Sequence, residues 1–199
     1  MVTEREVCAA VNYIRNPRSS ASDPKLKFVT EDESLSTMQT LPGREMTIRS
    51  ARGLATSLDR EGFVLVRHVS QIADFGLIEE DPATDQQYNN EMAALLREVT
   101  GGAFAMMLGG GKKRYGESAT DRLASLINAK PARYPHADNT DSSAQQLYGH
   151  IAAAAGGQIP EGVRWAMYNM WRAVSPPPQD FPLAVCDAMS AGPGDEVPV

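Results

Sequence analysis

The 199-residue chain is poor in the residues that crosslink or metal-clip small domains: it has two cysteines, Cys8 and Cys186, and three histidines, His68, His136 and His150. Two thiols cannot form a disulfide framework or, alone, a zinc ribbon, so the expected setting is a reducing cytoplasm. Concentrated positive charge is also missing. The net charge is -6 with a pI near 5.1, and the densest basic run is Lys112-Lys113-Arg114. Nucleic acid is therefore not expected as a partner, because phosphate binding needs clustered cations. No stretch approaches the ~20 apolar residues of a membrane span. The charged opening, Met1 to Glu6, has no apolar stretch behind it to act as a secretion signal, so no membrane association is expected. Internal repeats and low-complexity tracts are lacking. There is no Gly-x-Ser-x-Gly elbow. The run Gly109 to Lys113 fails as a phosphate loop, with Met106 where the template needs Gly and Lys113 where it needs Ser or Thr; it reads as a hairpin or lid.

What is present is ordinary for a globular protein: 42% hydrophobic and 22% charged residues, in a length that suits one domain with a real core. Residues 1–61 read as an N-terminal arm whose short apolar pieces, such as Val7 to Ile14, pair as strands with something further on. Residues 62–199 read as the main domain. Strands are expected at 62–69, 164–171 and 182–186 from their β-branched and aromatic content. Helical spacing of Tyr88, Met92, Leu95, Leu96 and Val99, stopped by Gly101-Gly102, predicts a helix. A second is expected over Thr120–Ala129. A third begins at Asn139-Thr140-Asp141, where Thr140 or Ser142 can cap it, and ends at Gly156-Gly157. This is a mixed α+β pattern without repeating βαβ units, and a β-sandwich or jelly-roll heart fits it.

The chemistry-bearing segment is Arg133-Tyr134-Pro135-His136-Ala137-Asp138-Asn139-Thr140. In an extended chain, side chains two residues apart share a face, so His136 and Asp138 project together. An imidazole nitrogen and a carboxylate oxygen then converge, supplying two corners of the 2-His-1-carboxylate facial triad that holds non-haem iron with open positions. A surface turn, or metal-dependent hydrolysis on the same pair, remains open from these residues alone.

Three pieces in order, Pro135-His136-Ala137-Asp138-Asn139-Thr140, Arg164 to Arg172 (with Asn169-Met170-Trp171-Arg172) and Pro182 to Ser190, resemble the CmcJ/AsaB-type hydroxylase/desaturase family. Gly62 to Phe75 and Glu91 to Gly102 resemble its early strand and following helix. That family is a branch of the Fe(II)/2-oxoglutarate-dependent oxygenases of secondary metabolism. The resemblance implies a double-stranded β-helix (jelly-roll) core with flanking helices, and His136 and Asp138 as iron ligands. It implies Arg172, Asn169 and Thr140 toward the cofactor and cosubstrate, and Trp171 with Arg172 at the reacting centre. Fe(II) and 2-oxoglutarate are the implied cofactors, and O2 and a small molecule the partners, with hydroxylation or desaturation as the outcome. The family pattern also has a distal histidine and a cosubstrate-binding arginine after the Pro-Leu-Ala-x-x-Asp piece. Here neither follows, so the jelly roll is expected to be incomplete at its C-terminal end and the polypeptide to continue beyond Val199.

Other residues have plainer readings beside the functional ones. His68 and His150 are candidates for a third ligand or for hydrogen-bonded structural histidines. Arg172 can grip a carboxylate with its planar fork or form a buried ion pair with Asp187. At least one of Trp165 and Trp171 is expected to be core. Cys186 beside Asp187 has no histidine near it in sequence to make it a nucleophile. The reading from another functional class is a jelly-roll accessory or binding protein without a complete metal triad.

Overall fold

The structure, a computed structural model, describes residues 6–14, 40–116, 134–154 and 163–195. The chain divides into two units that alternate along the sequence: Met1–Leu65, Ala132–Asn169 and Ala184–Val199 form the first, Val66–Pro131 and Met170–Leu183 the second.

In the first unit, strand β1 (Glu6–Ile14) pairs antiparallel with β2 (Thr40–Arg49). The expected arm strand over Val7 to Ile14 thus finds its partner about thirty residues on. The register runs from Glu6 opposite Arg49 to Ile14 opposite Thr40, with an irregularity between Val11 and Tyr13. That irregularity accommodates Pro42 and Gly43, residues that weaken a regular ladder. A Cβ on Gly43 would sit 3.1 Å from the Ala10 side chain, a tight contact that glycine avoids. Arg49 Nε lies 3.4 Å from Glu6 Oε1 across the strands.

Helix α2 (Asp141–Ala154) follows the His-x-Asp segment in the same unit. Thr140 is its N-cap: Ser143 N–H donates to Thr140 Oγ1 at 3.2 Å, and Thr140 N–H donates to Ser143 Oγ at 2.9 Å. This reciprocal pair satisfies two otherwise orphaned donors. Tyr148 of α2 stacks on Trp165 with ring centroids 4.6 Å apart and planes at 22°, which fixes the 163–169 segment beside the helix.

Helix α1 (Pro82–Thr100) organises the second unit. Asp81 accepts from Thr84 N–H at 2.9 Å and from the Thr84 hydroxyl at 2.6 Å, and Pro82 occupies the first turn, where its missing N–H costs nothing. Gly101 closes the helix in the left-handed conformation, φ 69°, its N–H bonded to Arg97 O. One face, Tyr88 and Met92 with Leu95 beside them, packs on Ile72, Ile78, Phe75, Met107 and Met170. Phe75 meets Tyr88 edge-on at 6.0 Å.

The expected helices at 88–99 and from 141 onward are present; the one at Thr120–Ala129 lies outside the described residues, as does the expected end at Gly156-Gly157. The three expected strands at 62–69, 164–171 and 182–186 do not join a ladder. Their composition suits a sheet, but a strand exists only where a neighbour pairs its backbone groups. Exposure still alternates over 165–168, with Trp165 and Met167 inward and Ala166 and Tyr168 outward, as on an extended chain. The Gly109 to Lys113 stretch is tied down rather than lid-like. Lys113 N–H donates to Glu79 Oε2 at 2.9 Å, Lys113 Nζ reaches Gly76 O and Glu80 Oε1 at 2.8 Å, and Lys112 Nζ pairs with Glu79 at 3.0 Å. Among the described residues no helix is long and apolar enough to cross a membrane.

Candidate metal centre

Two clusters contain the residues singled out by sequence, one in each unit. In the first unit, the chain from Tyr134 to Thr140 runs into the N-terminus of α2. His136 Nδ1 lies 2.9 Å from the Tyr134 carbonyl. A carbonyl only accepts, so Nδ1 donates, and Nε2 is the ring nitrogen left to face outward. Nε2 faces Asp138 Oδ1 at 3.4 Å. The other carboxylate oxygen, Oδ2, accepts a short hydrogen bond from the Asn169 amide. Both side chains are about half exposed.

The pair therefore presents one ring nitrogen and one carboxylate oxygen toward each other, with the opposite atom of each side chain engaged. Ligand atoms about 2.1 Å from a divalent metal and at right angles sit about 3 Å apart, so little movement is needed to admit an ion between them. The donor set, imidazole plus carboxylate, suits a divalent iron, manganese or zinc ion. Among the described residues no group of three or more His, Cys, Asp or Glu side chains converges; the pair is what this unit offers.

The second cluster is built on α1. Arg172 Nη2 lies 2.7 Å from His68 Nδ1 and 3.7 Å from Glu91 Oε1, and Nη1 is 3.5 Å from the His68 carbonyl. The guanidinium carbon stands 5.7 Å from the Phe75 ring centroid and 6.0 Å from that of Tyr88, within cation–π range of both. Glu91 also accepts from Gln71 N–H at 2.8 Å. Burial acts to raise the Glu91 carboxyl, but hydrogen bonds from Ser70 and Gln71 and the charges of His68 and Arg172 outweigh it and hold it below its ordinary value. Glu91 Oε1 and Arg172 Nε are buried without a hydrogen-bond partner. An open groove lined by His68, Gln71, Gln86, Asn90 and Glu91 runs along this face of α1.

The sequence-derived candidates thus divide. His136, Asp138 and Asn169 are brought together, and Thr140 adjoins them with its hydroxyl engaged in the α2 cap. Arg172 lies in the second cluster and Trp171, about half exposed, follows Met170 there. Arg172 is engaged within its unit by His68 and Glu91. Asp187 caps the 3-10 turn Ala188–Ser190 by accepting from Met189 N–H at 2.9 Å. A short carboxylate can satisfy the free amides of a turn that begins immediately after it, and here it does. His68 is engaged by Arg172 and lies 3.8 Å from Glu91; His150 is exposed on α2. Sequence reasoning missed Glu91, which nothing local distinguishes from other polar residues of α1, and missed the Tyr134 carbonyl, which carries no side-chain signal. Cys186 is exposed, with Sγ 3.7 Å from Ser190 Oγ.

Comparison with known proteins places the chain among oxidoreductases. Residues 11–199 match the family model described as YDMC: Oxidoreductase/YMDC permease-like domain, and the chain belongs to that family. It is 30% identical over 156 residues to the hydroxylase/desaturase efuI of Hormonema carpetanum, covering 74% of this chain and 50% of that protein. It is 25% identical over 144 residues to the Fe(II)/2-oxoglutarate-dependent dioxygenase nvfI of Aspergillus novofumigatus (strain IBT 16806), covering 71% and 49%. The chain spans about half the length of these curated relatives. No solved structure matches it.

Proposed function

We propose that this chain carries the His-x-Asp half of the metal centre of an Fe(II)/2-oxoglutarate-dependent oxygenase of the CmcJ/AsaB type, hydroxylating or desaturating a small molecule. The observation that carries the reading is the convergence of His136 Nε2 and Asp138 Oδ1 at 3.4 Å, with Nδ1 and Oδ2 held by Tyr134 and Asn169. The names of the two relatives, one a hydroxylase/desaturase and one an Fe(II)/2-oxoglutarate-dependent dioxygenase, support the same chemistry. His136 and Asp138 would hold Fe(II), which with 2-oxoglutarate and O2 supplies the oxidising power. The protein's part is to fix two ligands at adjacent corners and leave the others open. The double-stranded β-helix is the architecture proposed for the whole enzyme, because it is the fold implied by the residues around the His-x-Asp pair.

Anaerobic Fe(II) titration of the purified chain tests the site. Uptake is expected in the parent chain, with at least a hundredfold weaker affinity in His136→Ala and in Asp138→Ala, since each removes one of the two donors. Unaltered affinity in both variants would remove the metal pair and the oxygenase reading with it.

A further inference from the structure

Asn169 stands 31 residues from Asp138 in sequence, and its amide nonetheless donates to Asp138 Oδ2. Three features of the first unit bring it there. The reciprocal Thr140–Ser143 cap fixes the chain between Asp138 and α2. The Tyr148–Trp165 stack holds the following segment against that helix. Alternating exposure carries the segment on from Trp165 as extended chain. Asn169 is itself exposed and lies outside the buried packing. An exposed amide spent on one oxygen of an exposed carboxylate contributes little to folding, but it fixes the rotation of the Asp138 carboxylate and so the direction in which its other oxygen points beside His136 Nε2. Without it the carboxylate swings over a broad, soft torsion, and its oxygen no longer points steadily to the place beside His136 Nε2.

We propose that Asn169 is a positioning residue for the metal centre: its amide holds Asp138 Oδ2 so that Oδ1 alone faces the point where His136 Nε2 converges. The proposal rests on the reading of His136 and Asp138 as metal ligands. Partners that orient ligating carboxylates and imidazoles typically change metal affinity ten- to hundredfold when removed. The Tyr134 carbonyl does the corresponding work for His136 through the backbone, beyond the reach of substitution.

Co(II), which matches Fe(II) in charge and is simpler to handle in air, is the probe, followed by calorimetry and by its visible absorption. Asn169→Ala is expected to weaken Co(II) binding by about ten- to hundredfold and to change the visible spectrum. Asn169→Gln, which keeps the amide donor, should recover part of both. The thermal midpoint of the metal-free chain should not move in either variant, and Asn169→Ala should add no further loss in an Asp138→Ala background. Wild-type affinity and spectrum in Asn169→Ala would overturn the proposal while leaving the ligands intact. So would a loss of affinity that only accompanies a fall in the metal-free midpoint. If His136→Ala and Asp138→Ala bind Co(II) as the parent does, or the parent binds none, the ligand reading fails first and this proposal with it.

Discussion

At the scale of single residues, Arg172 has the most engaged side chain of its unit's cluster. Its guanidinium is shared among His68, Glu91 and two aromatic rings, which a planar fork can satisfy and an ammonium cannot. Arg172→Lys should therefore lower the unfolding free energy by on the order of 1–3 kcal/mol, the cost of leaving buried polar partners unpaired, as read from denaturant midpoints. A normal midpoint combined with a raised constant for 2-oxoglutarate would instead make Arg172 a carboxylate grip. Glu91 adds a pH dependence. Its carboxyl is held below the ordinary value of 4.5 in the folded chain. It therefore contributes stability that is present above about pH 4.5 and lost as pH falls through the lower folded value. Glu91→Gln should flatten the acid limb of a stability–pH curve; a limb as steep as the parent's would place that dependence elsewhere.

At the scale of elements, termini are where local chemistry decides, and Gly101 is the sharpest example. Its φ of 69° closes α1 in a conformation that costs a side-chain-bearing residue about 1–2 kcal/mol. Nothing lies near its missing Cβ, so Gly101→Ala should cost about that much through backbone strain alone, measured as a drop in thermal midpoint. No change would mean that the helix end relaxes to another cap. This stop was legible in sequence because it depends only on Gly101-Gly102 after a periodic run. The start at Pro82 was less so, since Thr84 to Gln87 are polar and interrupt the apolar period before Tyr88. The strands at 62–69 and 164–171 failed for the opposite reason: β-branched content describes a surface fit for pairing, while pairing itself is non-local. β2 went unread because Pro42, Gly43 and the charges of Arg44, Glu45 and Arg49 hide its alternation. The site divides along the same line. His136 and Asp138 were legible because a two-residue spacing fixes their common face. The engagement of Asn169 with Asp138, and of His68 and Glu91 with Arg172, was not, because each spans 20 residues or more and arises from packing.

At the scale of the whole molecule, the contrast lies between how much apolar side chain the sequence supplies and how little of it is covered. Among the described residues the buried hydrophobic core is Ile72, Ile78, Tyr88 and Met92, and no side chain is below 2% exposed. In the first unit Val163, Val185 and Met189 are at least half exposed; in the second so are Val174 and Phe104, the latter at 78%. Val185 sits in one of the segments whose composition suits strands but which lack a ladder, as do the equally exposed Leu65, Trp171 and Leu183. Exposed apolar side chains at this density mark surfaces that pack against something further, and unpaired strand-forming backbone favours the same outcome. Such side chains are open to contact with further apolar surface, a second copy of the chain included. The 199-residue chain alone should accordingly bind a hydrophobic fluorescent dye under native conditions. Its sedimentation coefficient should rise with concentration as copies cover one another's apolar segments. Charge supports the test: at -6 the chain repels itself weakly, so added salt should strengthen the association by screening that repulsion and leave dye binding unchanged. A dye-silent chain sedimenting as a concentration-independent monomer would show that these side chains are covered within the chain itself.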